Sequence, residues 1–130
     1  MKITYPDHCG NSPKKALLIE IYKAIANADY DFILENLADN VKLNIIGVRE
    51  AMGKEAVTSA MREFIAHGLT EIVVHDAITH GNTAAVHGSF IFGEICVDYC
   101  DVYKFNGFGK KAKIGEIKSY LINSSPHKIF

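Results

Sequence analysis

The stretch Glu94–Lys110, EICVDYCDVYKFNGFGK, decides how the rest of the chain is to be read. It reads as a long strand closed by an Asn106-Gly107 turn. Side chains on a strand alternate faces with a period of two, which places Tyr99, Asp101, Tyr103 and Phe105 in one row. Three aromatic rings around one carboxyl group make a poor surface for water. They make a sensible wall for an enclosed pocket that needs one polar group.

Outward from that strand, the pattern on both sides is also regular. Thr83–Gly93 alternates, with Val86, Phe90 and Phe92 on one face, and Leu69–His80 reads as a further strand closed by Gly81-Asn82. Ala112–Asn123 follows the opening stretch and carries Ile117, Ser119 and Leu121 at alternate positions. Short Gly/Asn turns between successive strands predict an antiparallel meander. Gly88, in the middle of its strand, predicts a bend or a space left beside the aromatic rings.

The first half is helical. Ser12-Pro13 is a helix start, with Ser as cap and Pro in the first turn. Leu17, Leu18, Ile21, Ala24, Ile25 and Ala28 then recur at three and four, giving an amphipathic helix over 14–28 that Asn27–Asp29 breaks. A shorter helix follows, with Phe32, Ile33, Leu37 and Ala38 inward. After an Asp39-Asn40 turn, Val41–Ile46 reads as a short strand and Gly47–Gly53 as a loop. Lys54–His67 is a third helix, with Val57, Met61, Phe64 and Ile65 apolar and Gly68 as its stop. Three helices followed by a strongly curved antiparallel sheet is an α+β architecture with the helices on one face. The expected organisation is an N-terminal arm (1–12, with 1–11 loosely held), one domain (13–123) and a short tail (124–130).

Composition narrows the functional classes. A chain of 130 residues is the size of one domain with one core. Its net charge of -1, with only two Arg among fourteen basic residues, offers no footprint for nucleic acid or an anionic membrane. No apolar run approaches the roughly 20 residues that span a bilayer, and the first residues lack the apolar core of a secretory signal. Cys9, Cys96 and Cys100 form no CxxC pair. Cys96 and Cys100 stand about 13 Å apart along one strand face, too far to bridge each other. Reduced thiols in a cytoplasmic protein are expected.

Three stretches resemble a known family, the nuclear transport factor 2-like, SnoaL-like or ketosteroid-isomerase-like cone. These are IYKAIANADYDFILENLADNV (21–41), GKEAVTSAMREF (53–64) and CDVYKFNGFGK (100–110), the last followed by KIGEIKSYL (113–121). Together they cover most of residues 14–123. Within that superfamily, the ketosteroid isomerase pattern uses a Tyr on the first helix and an Asp on the third long strand to hold an oxyanion. There the acid stays neutral so that it can donate a hydrogen bond. The resemblance carries these roles onto Tyr22 and Asp101. The family's base, a second Asp on the first short strand, falls on Asn44 or Ile45, and neither takes up a proton at neutral pH. Loss of a positioned base forfeits roughly 10²–10⁴ in rate. A polyketide-cyclase-like variant needs only one positioned acid, and Asp101 would serve. An epoxide-hydrolase-like Asp-Arg-Asp set needs a pocket Arg, while Arg49 falls in a loop and Arg62 on the wet side of its helix.

Each candidate also has a plainer reading. Asp101 is otherwise a solvated carboxylate paired with Lys104 or Lys118, and Tyr22 a core tyrosine. Asn44 is either a pocket contact or an outward edge residue. His75 and His87 lack a third ligand, so no metal site is expected, and His87 should point to the convex face; His75 remains a candidate replacement base if it faces inward. The pocket is expected to be lined by Asn44, Ile45, Met61, Phe64, Val86, Phe90, Phe92, Tyr99, Tyr103, Ile117, Ser119 and Leu121. It would take a small hydrophobic carbonyl or ring compound, with no cofactor. The convex face, carrying His87, Ser89, Cys96, Asp98, Cys100 and Val102, is expected to pair in a homodimer.

Overall fold

The computed structural model describes residues 1–7 and 12–124; Cys9 and all but the first residue of the expected tail lie outside the described residues. The chain runs β1 (Lys2–Thr4), α1 (Pro13–Asn27), α2 (Tyr30–Asn36), β2 (Leu37–Ile45), β3 (Arg49–Met52), α3 (Lys54–Ile65), β4 (Glu71–His80), β5 (Thr83–Phe92), β6 (Ile95–Phe105) and β7 (Ile114–Asn123). Among the described residues seven strands make one sheet in the order β1-β4-β5-β6-β7-β2-β3, and three helices pack on its inner face.

The long strands and helices fall where the periodicity places them. Ser12 caps α1 by accepting from the Lys15 amide at 3.4 Å, and Pro13 begins the helix. Ala28 closes it in the left-handed region (φ 57), and Asp29 at once caps α2 by accepting from the Phe32 amide. Gly68 (φ 102) follows α3 in a conformation that a side chain would oppose.

Four expectations need correction. The sheet is mixed: β4 to β7 form the antiparallel meander, but β1 runs parallel to β4 and β2 parallel to β7. Part of the supposed loose arm is β1, an edge strand whose Ile3 packs against the core. Leu37 and Ala38, placed at the end of a helix, begin β2, and the Asp39-Asn40 turn lies within that strand, where its pairing with β7 shifts register. The Gly47–Gly53 loop contains β3, which pairs antiparallel with β2. Local periodicity tells which way a side chain faces but not which distant strand lies beside it.

Curvature has a local cause. The β4–β5 register shifts between Val74 and Asp76, leaving His75 as the extra residue of a bulge, and bulges bend and twist a strand. Gly88 sits opposite that bulge. A Cβ on it would stand 1.8 Å from the Val73 carbonyl oxygen, so only glycine permits this approach.

The candidate pocket and its buried acid

Strand parity brings Val97, Tyr99, Asp101, Tyr103 and Phe105 of β6 to the inner face, where all are buried. α1 crosses this row and lowers Tyr22, wholly buried, onto Asp101 and Tyr103. The Tyr22 hydroxyl donates to Asp101 Oδ2 at 2.5 Å and accepts from the Tyr103 hydroxyl at 2.7 Å. Tyr99 stacks between Tyr22 and Phe90, with ring centroids 5.7 and 4.1 Å away, and its hydroxyl donates to the Val73 carbonyl at 3.2 Å. Gly88 leaves the space in which that hydroxyl sits.

Asp101 is 5% exposed, which rules out the solvated carboxylate of the plainer reading. Burial pushes its carboxyl up to about 6, although hydroxyl contacts from Tyr22 and Ser119 favour the charged form. Tyr22 and Tyr103 are held well above the usual phenol range, first by burial and then by the nearby carboxylate. Asp101 Oδ1, in contrast to Oδ2, is buried without a hydrogen-bond partner. A buried polar atom left unpaired is costly, and such atoms in a native fold call for a reason.

Beside this carboxyl lies a cavity of about 60 Å³. Of the expected lining, Ile45, Met61, Phe64, Phe90, Tyr103, Ile117, Ser119 and Leu121 surround it together with Tyr22 and Asp101. Four do not. Val86 and Phe92 are core residues outside the lining, the latter 5.2 Å from the Phe64 ring, and Tyr99 forms a second layer behind Tyr22 and Phe90. Asn44 faces away, beside Glu50 and Lys118 on the other side of β2, because Ile45 holds the inward parity. Of the two residues on which the base position was expected to fall, Ile45 lines the cavity and Asn44 does not.

Ile25, Leu43 and Ala60 also line the cavity and were not expected there. Their spacing could have found them. Ile25 is one helical turn from Tyr22, Leu43 shares parity with Ile45, and Ala60 precedes Met61 by one and Phe64 by four.

His75 does not face inward. It is exposed, with its ring 5.8 Å from that of the exposed His87, which ends its candidacy as a replacement base. Among the described residues no group of three or more His, Cys, Asp or Glu is placed to hold a metal ion. Arg49 pairs with Glu63 and Arg62 lies over the Tyr30 ring, so neither lines the cavity. No helix among the described residues is long and apolar enough to cross a membrane.

The family model of the SnoaL-like domain matches residues 18–114, from Leu18 within α1 through α2, α3 and all of β6. The chain belongs to the SnoaL-like domain family. No curated protein matches its sequence. Among solved structures, an NTF2-like protein of unknown function from Cytophaga hutchinsonii is 23% identical. It covers 82% of this SnoaL-like chain and 97% of its own, with a TM-score of 0.65. A protein from Kribbella flavida, provisionally a ketosteroid isomerase, is 11% identical, covering 91% and 84% of the two chains (TM-score 0.72). The epoxide hydrolase/cyclase-like enzyme SalBIII is 16% identical, covering 83% and 89% (TM-score 0.71). At these identities the structural likeness establishes the cone fold and no more.

Proposed function

We propose that this SnoaL-like domain binds a small, largely apolar carbonyl or ring compound between α1, α3 and the sheet, and that Asp101 is its acid/base group. The observation that carries this reading is Asp101, a buried residue of an otherwise largely apolar cavity lining whose Oδ1 has no hydrogen-bond partner. A carboxyl poised at about 6 suits proton transfer near neutral pH. In the step envisaged, Oδ1 takes a proton from an enolisable carbon and the C–H electron pair passes to the carbonyl oxygen as an enolate. Return of the proton to another carbon of the same molecule gives the isomer, and the balance needs no co-reactant. Tyr22 steadies the carboxylate through Oδ2 in the resting state.

Deuterium exchange tests this directly. A panel of small cyclic ketones and hydroxyketones in D₂O should gain deuterium beside the carbonyl faster with the protein than in buffer, and Asp101→Asn should abolish the excess. No excess exchange with the parent protein sinks the catalytic reading. Ile45 in the lining, on one of the two positions expected for the base, favours a second reading, a non-catalytic binder of the same class of compound. That reading predicts binding without exchange.

We propose also that a second copy covers the outer sheet face, where Ile78, Tyr120 and Ile122 stand exposed on β4 and β7. Sedimentation should show a dimer that Ile122→Lys weakens; a monomer at every concentration would exclude it.

A further inference from the structure

The hydrogen atoms around the cavity can be assigned one by one. Each phenol carries a single proton to give. That of Tyr103 goes to Tyr22, that of Tyr22 goes to Asp101 Oδ2, and that of Tyr99 goes to the Val73 carbonyl. None is left over for a bound molecule. Ser119, the cross-strand neighbour of Asp101, carries the last hydroxyl among the described lining residues, and it is already turned to favour the charged carboxyl without closing a hydrogen bond to Oδ1; among the described residues no Lys, Arg or His lines the cavity. The orphan is an acceptor, Asp101 Oδ1. A ligand that brings a donor relieves it, whereas a ligand that brings only lone pairs leaves it unpaired and adds a second unpaired atom.

We infer that the pocket selects molecules whose polar end donates a hydrogen bond, a hydroxyl or a protonated amine on a compact apolar body, so that among the carbonyl compounds of the proposed reaction those that also carry a hydroxyl are preferred over a bare ketone. This is the opposite polarity to an oxyanion hole. It rests on the reading that a small compound enters this cavity, and it narrows that compound to one bearing a donor. Size narrows it further. The cavity of about 60 Å³ is smaller than the engineered cavity of about 150 Å³ that accepts benzene, so a ligand of even five ring atoms enters only by displacing Met61 at the half-buried edge.

The titratable groups facing Asp101 are Tyr22 from α1 and Tyr99 and Tyr103 from its own strand, all raised by burial and protonated at any pH used here. Cys100, on the opposite side of β6, is also raised. β7 contributes Ser119, while α3, β2 and β5 present only apolar side chains to the cavity.

Cyclopentanol, cyclopentylamine and cyclopentanone share one skeleton and differ at the polar end. Their dissociation constants are to be read from methyl and aromatic NMR shifts of the full chain at pH 8 and pH 5. At pH 8 the alcohol and the amine should each bind about 10-fold more tightly than the ketone, the scale of one hydrogen bond to a charged acceptor. At pH 5 that preference should shrink as Asp101 takes up a proton, and in Asp101→Asn it should no longer change with pH. Equal binding of all three at pH 8, or a preference for the ketone, overturns the inference and leaves the pocket reading standing. Binding of none of them, with no shift at Leu43, Ile45 or Ile117, overturns both.

Discussion

The Tyr22 hydroxyl donates to one oxygen of Asp101 and accepts from Tyr103, so three side chains from α1 and β6 share a directed chain of protons that ends on a buried carboxyl. The direction of donation matters as much as the distances. It leaves Oδ1 as the carboxyl oxygen without a hydrogen-bond partner, and it makes Asp101 an acceptor in the resting protein.

The buried acid should show in the pH dependence of stability. Its ordinary value is 3.8 and its folded value is about 6. Below 3.8 both states hold the proton; as pH rises through this window the unfolded chain releases it first, which favours unfolding. The wild type should therefore lose roughly 2–2.5 kcal/mol relative to Asp101→Asn between pH 4 and pH 7, with little further relative loss above it. Urea unfolding of both proteins at pH 4, 6 and 8 measures the difference. Parallel profiles would mean that the carboxyl is not raised.

Tyr22→Phe removes one hydroxyl and strands two partners, Asp101 Oδ2 and the Tyr103 hydroxyl. Destabilisation by roughly 2–3 kcal/mol is expected from leaving buried polar atoms unpaired. The Asp101 carboxyl should titrate higher still, because the Tyr22 hydrogen bond favours its charged form. Carbon-detected NMR of the carboxyl checks the direction. In the double variant with Asp101→Asn the two effects should fail to add, since they belong to one network.

Gly88→Ala should be among the most damaging small substitutions in the sheet. The new methyl would meet the Val73 carbonyl at 1.8 Å and the Tyr99 hydroxyl at 3.0 Å, and backbone cannot retreat as a flexible side chain does. A loss above about 4 kcal/mol, or failure to fold, is expected. Gly115→Ala on β7 is the control: its nearest contact would be 3.5 Å from the Lys104 carbonyl, and it should cost less than about 1 kcal/mol. Similar melting temperatures for the two variants would contradict the close approach at the bulge.

Met61→Ala opens the edge of the cavity. Because Met61 is only half-buried, its loss should cost about 1–2 kcal/mol, below the range for fully buried methionines. Phenol should then bind at least several-fold more tightly than it does to the parent protein. Calorimetry of phenol against both proteins decides the matter, and equal affinity would show that Met61 does not set the limit.

By itself the sequence determined which residues face one another's side of each element. A period of two put Tyr99, Asp101, Tyr103 and Phe105 in one row, a period near 3.6 set α1 and α3, and the loose motifs of residues 21–41, 53–64 and 100–110 pointed to the cone. These are local properties, written in the spacing of apolar side chains. Tertiary structure decided everything that depends on distance between remote parts of the chain. It set β2 parallel beside β7 and β1 beside β4, turned Ile45 inward and Asn44 outward, and put His75 on an exposed bulge. It also fixed the cavity at about 60 Å³, since an unfilled volume is a difference between two packed surfaces that no spacing records. Tyr22 and Asp101 are 79 residues apart, and which of them gives its proton to the other appears only once the helix lies across the strand.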